Sequence, residues 1–99
     1  MKKLFISQPM LNKTDEEIKA VKDSIVADVS KLVGDEVEII NTSLEKVPHD
    51  ARPLWFLGKL LELLSTADCV YFGEGWKDYY GCKIEYECAV QYGINIVGE

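Results

Sequence analysis

One glutamate, Glu85, has the residue type and position best suited to chemistry in this chain. It falls in a helix predicted to begin at about Tyr80, directly after the glycine-containing stretch 73–78. The partial positive charge at a helix N-terminus favours an ionised carboxylate. The position therefore suits a nucleophile, or a group that stabilises a cationic transition state. A solvated acid at the start of a helix is the alternative interpretation, and spacing alone leaves both open.

The neighbours of Glu85 predict that one carboxylate, and not a pair, faces a ligand. Gly81 lies one turn earlier on the same helical face, so that turn has no side chain to block the approach to Glu85. Glu87 is two residues further on, roughly 200° around the helix. It is therefore predicted to point away from Glu85.

The stretch before this helix is predicted to supply ligand-binding groups. Trp76, Tyr79 and Tyr80 could stack on a planar base, as aromatic side chains do. Alternatively they pack over the end of the sheet or across a dimer interface. The stretch lacks the third glycine of a dinucleotide fingerprint, and the chain has no P-loop. The candidate substrate-binding residues of this region are Gly73, Gly75, Trp76, Asp78, Tyr79 and Gly81.

Strands and helices alternate along the chain as β-α-β-α-β-α-β. The first helix is predicted to begin at a capping box, Thr14 to Glu17, and to end at Gly34. The second helix begins at Pro53 and the third ends at Gly93. The predicted strands are residues 2–7, 37–40, 69–72 and 94–97.

This alternation predicts a flavodoxin-like, three-layer α/β/α sandwich, formed by a single domain over residues 1–99. Right-handed crossovers favour a four-stranded parallel sheet in the order 2-1-3-4. Ligands of such sheets bind where the strand order reverses, here between strands one and three. The loop Ser7, Gln8, Pro9 and Met10 should then lie beside residues 73–76, with Glu85 at the floor of the pocket.

The second and third predicted helices each carry an apolar stripe. The second helix has a leucine stripe, and Trp55 and Phe56 lie off it, either as a subunit contact or as cover for the sheet edge. In the third helix, Ile84, Cys88 and Tyr92 recur every four residues and predict its buried face.

Composition excludes several classes of function. A net charge of −6 and a pI near 4.7 argue against a surface for polymeric nucleic acid. Three cysteines without a CxxC pair and one histidine predict no metal site, and no cofactor is expected. The odd cysteine count indicates a reducing compartment, and the first apolar run is too short for a signal peptide. We therefore expect a cytoplasmic protein without a membrane segment, and a homo-oligomer because the chain is small.

The sequence resembles a small family of bacterial and phage proteins related to nucleoside 2-deoxyribosyltransferases. The resemblance covers nearly the whole chain. The residues that carry it are Phe5-Ile6-Ser7-Gln8-Pro9-Met10, Lys13-Thr14-Asp15-Glu16-Glu17-Ile18, Pro53-Leu54-Trp55, Gly75-Trp76, Gly81-Cys82-Lys83-Ile84-Glu85 and Ala89.

The resemblance implies a reaction and a role for each part of the site. In the characterised relatives a glutamate four residues before a helical alanine attacks the anomeric carbon of a nucleoside, and Glu85 with Ala89 matches that position. The loop Ser7 to Met10 would lie against the sugar, and the region of Trp76 near the base or a phosphate. The implied ligand is a nucleoside or nucleotide.

The sequence departs from the family at three places. The second acid of those enzymes falls in the region 57–61, where Glu62 is the only acid nearby. Tyr79 and Tyr80 replace a small residue and an arginine, and Leu11-Asn12 replaces Arg-Gly. Three interpretations stay open: cleavage or transfer of an N-glycosidic bond, non-catalytic binding or sequestration of a nucleotide-like ligand in phage–host conflict, and a structural oligomer.

Overall fold

The computed structural model describes residues 1–7, 14–42 and 46–98. It contains four strands, β1 (Lys2–Ser7), β2 (Val37–Ile39), β3 (Cys69–Phe72) and β4 (Asn95–Gly98). Its helices are α1 (Asp15–Val33), α2 (Pro53–Leu64) and α3 (Tyr80–Gln91), and a 3₁₀ turn covers Trp76–Asp78. Within these residues, no helix is long and apolar enough to cross a membrane.

The four strands form one parallel sheet in the order β2-β1-β3-β4, which confirms the predicted topology. The strand β1 pairs with β2 from Lys2 opposite Val37, and with β3 up to Ser7 opposite Phe72. The strand order reverses between β1 and β3, so the carboxyl ends of these two strands mark the switch point. A flavodoxin-like fold binds its ligands at these carboxyl ends of the strands.

Helix α1 covers one face of the sheet and begins and ends as predicted. The Oγ1 atom of Thr14 accepts a hydrogen bond from the N–H of Glu17 at 3.1 Å. Gly34 ends the helix with φ of 69°, a left-handed conformation that favours glycine. Ile25 and Val29 are buried against the side chains of β1 on this face.

Helices α2 and α3 cover the opposite face. Their core residues pack around Phe5, Val70 and Phe72 of the sheet, and Leu64 and Ala89 are the most buried apolar residues of the two helices. Helices on both faces give the predicted three layers.

The predicted buried face of α3 was wrong. Ile84 and Tyr92 are exposed and Cys88 is half-buried, whereas Cys82, Glu85 and Ala89 are buried. The true inner face follows spacings of three and four residues and carries an acid at its centre. The prediction followed apolar residues alone, and because of this acid it selected the neighbouring stripe, Ile84, Cys88 and Tyr92.

The strand ends differ from the predictions by one residue. Strand β2 ends at Ile39, although the N–H of Ile40 still donates to the carbonyl of Leu4 at 2.8 Å. Strand β4 begins at Asn95, because Gly93 turns the chain with φ of 69° before the strand.

Candidate functional site

The ends of β1 and β3 are joined by a backbone hydrogen bond at the switch point. The N–H of Gly73 donates to the carbonyl of Ser7 at 2.8 Å. Ser7 therefore lies beside the glycine loop, as predicted. Gln8, Pro9 and Met10, the remainder of that predicted site loop, lie outside the described residues.

The glycine loop is folded tightly by its own backbone. Gly75 has φ of 84°, a conformation that a side chain would strain. The N–H of Trp76 donates to the carbonyl of Gly73, and the N–H of Asp78 to that of Gly75, each at 3.2 Å. These bonds fix the 3₁₀ turn between β3 and α3.

A shallow cleft of about 540 Å³ lies along this loop. Among its charged groups are the carboxylates of Glu74 and Asp78 and the ammonium of Lys77. Excess negative charge at this cleft disfavours a ligand that is bound chiefly through phosphate. The cleft is lined by Tyr71, Phe72, Glu74, Gly75, Trp76, Lys77 and Asp78.

Trp76 borders the cleft but belongs mainly to the core, with 8% of its surface exposed. Its ring stacks on Tyr86 with centroids 4.6 Å apart, and it contacts the Phe72 ring at 5.1 Å. The Nζ atom of Lys77 lies 5.7 Å from the centre of the Trp76 ring. The alternatives for this residue were stacking on a ligand base and packing over the end of the sheet or across a dimer interface, and the structure shows it packed against the end of the sheet.

Tyr79 and Tyr80 are exposed at the start of α3. Tyr79 has extended backbone angles and precedes the helix, and the Tyr80 ring has Lys83 Nζ 5.5 Å from its centre. The space beside the Gly81 Cα is open, as expected for a turn left clear of side chains. A role for Tyr79 and Gly81 in ligand binding stays a prediction.

Glu85 and Glu87 face different environments, as helix periodicity predicted. Glu85 is 5% exposed, whereas Glu87 is exposed and accepts a hydrogen bond from Gln91 Nε2 at 3.0 Å. A buried carboxylate is uncommon without a partner or a function.

Glu85 lies in a small buried polar cluster with Ser7 and Cys82. The Oγ atom of Ser7 and the Oε2 atom of Glu85 are both buried, and neither has a hydrogen-bond partner among the described residues. The Ser7 hydroxyl is nevertheless close enough to both other side chains to lower their pKa values. The side chains therefore lie close together, but Ser7 Oγ and Glu85 Oε2 form no hydrogen bond.

The ionisation of Glu85 differs from the expectation based on the helix terminus. Burial raises the pKa of Glu85 above its ordinary value, and the Ser7 hydroxyl opposes this shift only in part. Glu85 is the sixth residue of α3. The charge effect of a helix end fades beyond the first turn, so desolvation outweighs it at this position.

The raised pKa predicts that the protein loses stability as the pH rises. Above pH 4.5, the ordinary pKa of the glutamate side chain, Glu85 ionises in the unfolded chain but keeps its proton in the folded one. The unfolded state then binds fewer protons, so the free energy of unfolding falls until the pH exceeds the raised pKa. Urea denaturation across this range should show a fall that the Glu85→Gln variant lacks.

Other carboxylates contribute to the pH dependence of both proteins, so the difference between them isolates Glu85. We expect Glu85→Gln to be more stable than the native chain at neutral pH, with an advantage that shrinks toward pH 4.5. A constant difference at every pH would show that Glu85 keeps an ordinary pKa in the folded protein.

Sequence reasoning missed one member of the polar cluster, and Glu62, the only acid near the region of the family's second acid, lies elsewhere in the structure. Cys82 was given no role in the site from the sequence, although its position three residues before Glu85 places both on one helical face. Glu62 lies in the last turn of α2, exposed and 3.7 Å from Lys59 Nζ. Because α2 returns the chain to the amino end of β3, Glu62 lies toward that end of the sheet and away from the switch point. The described residues contain no group of side chains suited to a metal ion.

No protein-family model and no curated protein sequence matches the chain significantly. Solved structures do share its fold. A conserved protein from Enterococcus faecalis V583 superposes with a TM-score of 0.65 and 16% sequence identity, over 99% of this chain and 62% of that protein. The 2-deoxyribosyltransferase of Bacillus psychrosaccharolyticus superposes with a TM-score of 0.60 and 19% identity, over 97% of this chain and 70% of the enzyme.

The chain thus spans less than two thirds of the Enterococcus protein, and its likeness to both is one of fold. The resemblance inferred from the residues agrees with this structural relationship. The chain therefore has, at a distance in sequence, the fold of a 2-deoxyribosyltransferase.

Proposed function

We propose that the chain binds a nucleoside or nucleotide-like molecule and cleaves or transfers its N-glycosidic bond, with Glu85 as the attacking carboxylate. The observation that carries this proposal is the buried, unpartnered Oε2 atom of Glu85 beside the switch point of the sheet. An unsatisfied buried oxygen costs stability, and such costs are concentrated at functional sites. The fold shared with a 2-deoxyribosyltransferase gives independent support.

The chemistry suits a carboxylate of this kind. Departure of the base leaves positive charge on the sugar ring, and an ionised Glu85 would stabilise this charge and then bond to the anomeric carbon. Water or a second base would release the sugar in a following step. Only the ionised form attacks, so the raised pKa of Glu85 should appear as loss of activity at low pH.

The leaving base needs a proton, and Glu62 is badly placed to give it. The two carboxyl groups on the cleft, Glu74 and Asp78, are the candidates that remain on the described part of the site. Both belong to the segment between β3 and α3, the helix that carries Glu85.

The test is base release and base exchange by the purified protein. Ribonucleosides, 2-deoxyribonucleosides and their monophosphates would each be incubated with and without a second free base, and the bases separated by chromatography. Exchange indicates transfer, and release without an acceptor indicates hydrolysis. Mass spectrometry of molecules that co-purify with the protein would identify a ligand that stays intact, which would favour binding without turnover.

We also propose that the chain functions as a homo-oligomer. Leu54 is 76% exposed at the start of α2, and next to it Phe56 is exposed with its ring at right angles to that of the half-buried Trp55. Light scattering should give at least twice the chain mass of 11.2 kDa. Leu54→Glu should lower the measured mass. Glu62→Lys alters an exposed residue at the other end of α2 and should leave the mass unchanged. A native protein that stays monomeric at high micromolar concentration would contradict this proposal.

A further inference from the structure

Helix α2 is apolar around most of its circumference, yet little of it is buried. Within α2, all of which the structure describes, Leu64 alone is fully buried. The other apolar side chains of this helix are half-buried or exposed, and Leu54 is 76% exposed. A helix that is hydrophobic all round is normally a buried helix. One copy of the chain therefore leaves the burial of α2 incomplete.

One face of α2 carries small and apolar residues and borders an open groove. The residues of this face follow at steps of four, three and four along the helix: Leu54, Gly58, Leu61 and Ser65. Leu61 and Ser65 also line a mainly apolar groove of about 360 Å³ between α2 and α3. Its other lining residues are Leu64, Cys88, Tyr92 and Ile94. The face and the groove together are called the α2 surface.

The middle of this face is a glycine that the packing of a single chain does not require. Gly58 is exposed, and the space beside its Cα is open. Glycine destabilises the middle of a helix relative to alanine. The absence of a side chain allows another backbone to approach closely. Gly58 therefore suits a point where a second helix crosses α2.

The charges of α2 favour a second copy of the chain as the partner. The net charge of −6 makes two copies repel one another over most of their surface. Within α2 the charged residues are Lys59 and Glu62, which have opposite charges and lie 3.7 Å apart. Each is about 100° around the helix from the residue before it, Gly58 or Leu61, and so lies at the rim of the face. Two copies can meet on the α2 surface without net repulsion.

We propose that two copies pack through the α2 surface, with their α2 helices antiparallel and crossing at Gly58 on a two-fold axis. A two-fold contact uses the same surface of both copies, so that surface must fit itself. Leu54 lies about 6 Å before Gly58 along the helix, and Leu61 about 4.5 Å after it. The crossing therefore brings the exposed Leu54 of each copy to the groove beside Leu61 of the partner subunit. This interface rests on the proposed homo-oligomer, to which it gives a geometry, and is independent of the proposed chemistry.

The first test enlarges Gly58 and measures the mass by light scattering over a range of concentrations. Gly58→Leu places a good helix former where space is open, so the fold should persist while the new side chain separates the crossing helices. The dissociation constant of the dimer should rise at least about 30-fold, as expected for a central interface residue. Ala27→Leu enlarges an exposed residue of α1, on the opposite face of the sheet, and should leave the constant unchanged.

Circular dichroism checks that each variant folds. If Gly58→Leu does not fold, Leu54→Glu alters a side chain that is 76% exposed in the single chain, and it should raise the dissociation constant in its place.

The second test uses Cys88 as a reporter of the groove. This thiol is half-buried and lines the groove, whereas Cys69 and Cys82 are buried. Its alkylation by iodoacetamide, followed by mass spectrometry of peptides, should slow as the protein concentration rises through the dissociation constant. Gly58→Leu and Leu54→Glu should remove this protection, because both leave the groove uncovered.

The outcomes separate this interface from the oligomer itself, and neither measurement depends on base release. A native chain that stays monomeric at high micromolar concentration would contradict both the oligomer and the interface. An oligomer whose mass and Cys88 reactivity are the same in native protein and Gly58→Leu would retain the oligomer and overturn this inference. A different protein that co-purifies and shields Cys88 at every dilution would assign the α2 surface to that partner and so overturn the inference as well.

Discussion

Replacing Glu85 by glutamine should reduce base release by at least about 1,000-fold, because the amide keeps the shape of the side chain and removes the attacking charge. The fold should persist, since the buried unpartnered Oε2 contributes no hydrogen bond that the substitution would remove. The comparison uses initial rates at saturating nucleoside, with far-ultraviolet circular dichroism to confirm folding.

Glu87→Gln is the internal control. It removes the same charge two residues away, on an exposed side chain bonded to Gln91, and should change turnover little. In a protein that only binds its ligand, Glu85→Gln should instead change the affinity by about 1–3 kcal/mol, the range for one charged hydrogen bond. Unaltered turnover and unaltered affinity would together remove Glu85 from the site.

The fold was predictable because its signals are local and mutually consistent. A capping box, a proline at the start of α2 and glycines after α1 and α3 each mark a helix boundary by backbone chemistry. Four short apolar runs between those helices leave a parallel sheet as the arrangement that buries them. Right-handed crossovers then favour the strand order that the structure shows.

The site was predictable to the extent that it follows from topology. Ser7 and Gly73 end neighbouring strands, so the strand order alone brings them together. Helix periodicity likewise separates Glu85 from Glu87. The proximity of Cys82 to Ser7 depends on how α3 is rotated against the sheet, and no pattern of apolar residues revealed that rotation.

The ionisation of Glu85 illustrates a second limit. From the sequence, the helix terminus was the one visible influence on the carboxylate, and it favours the ionised form. Desolvation acts in the opposite direction and depends on packing against residues such as Ser7 of β1, which is distant from Glu85 in the chain. The sign of the pKa shift therefore required the structure.

Trp76→Ala should cost about 3–5 kcal/mol of folding free energy, the range for removing a large buried aromatic side chain. Its ring contacts two aromatic neighbours, Phe72 on β3 and Tyr86 on α3. Removing it opens a cavity that joins the sheet, the turn and the helix that carries Glu85. Small domains are stable by about 5–15 kcal/mol, so urea denaturation should show a midpoint far below that of the native protein.

Trp55 provides the matched control, because it is also a tryptophan but half-buried. Its ring makes an edge contact with Phe56 and has Lys59 Nζ 5.8 Å from its centre. Trp55→Ala should cost about 1 kcal/mol. Trp76→Phe keeps a ring in the stack and should recover most of the stability lost in Trp76→Ala. A Trp76→Ala variant with native stability and weakened ligand binding would instead show that this ring serves the ligand and not the core, as its position at the edge of the cleft allows.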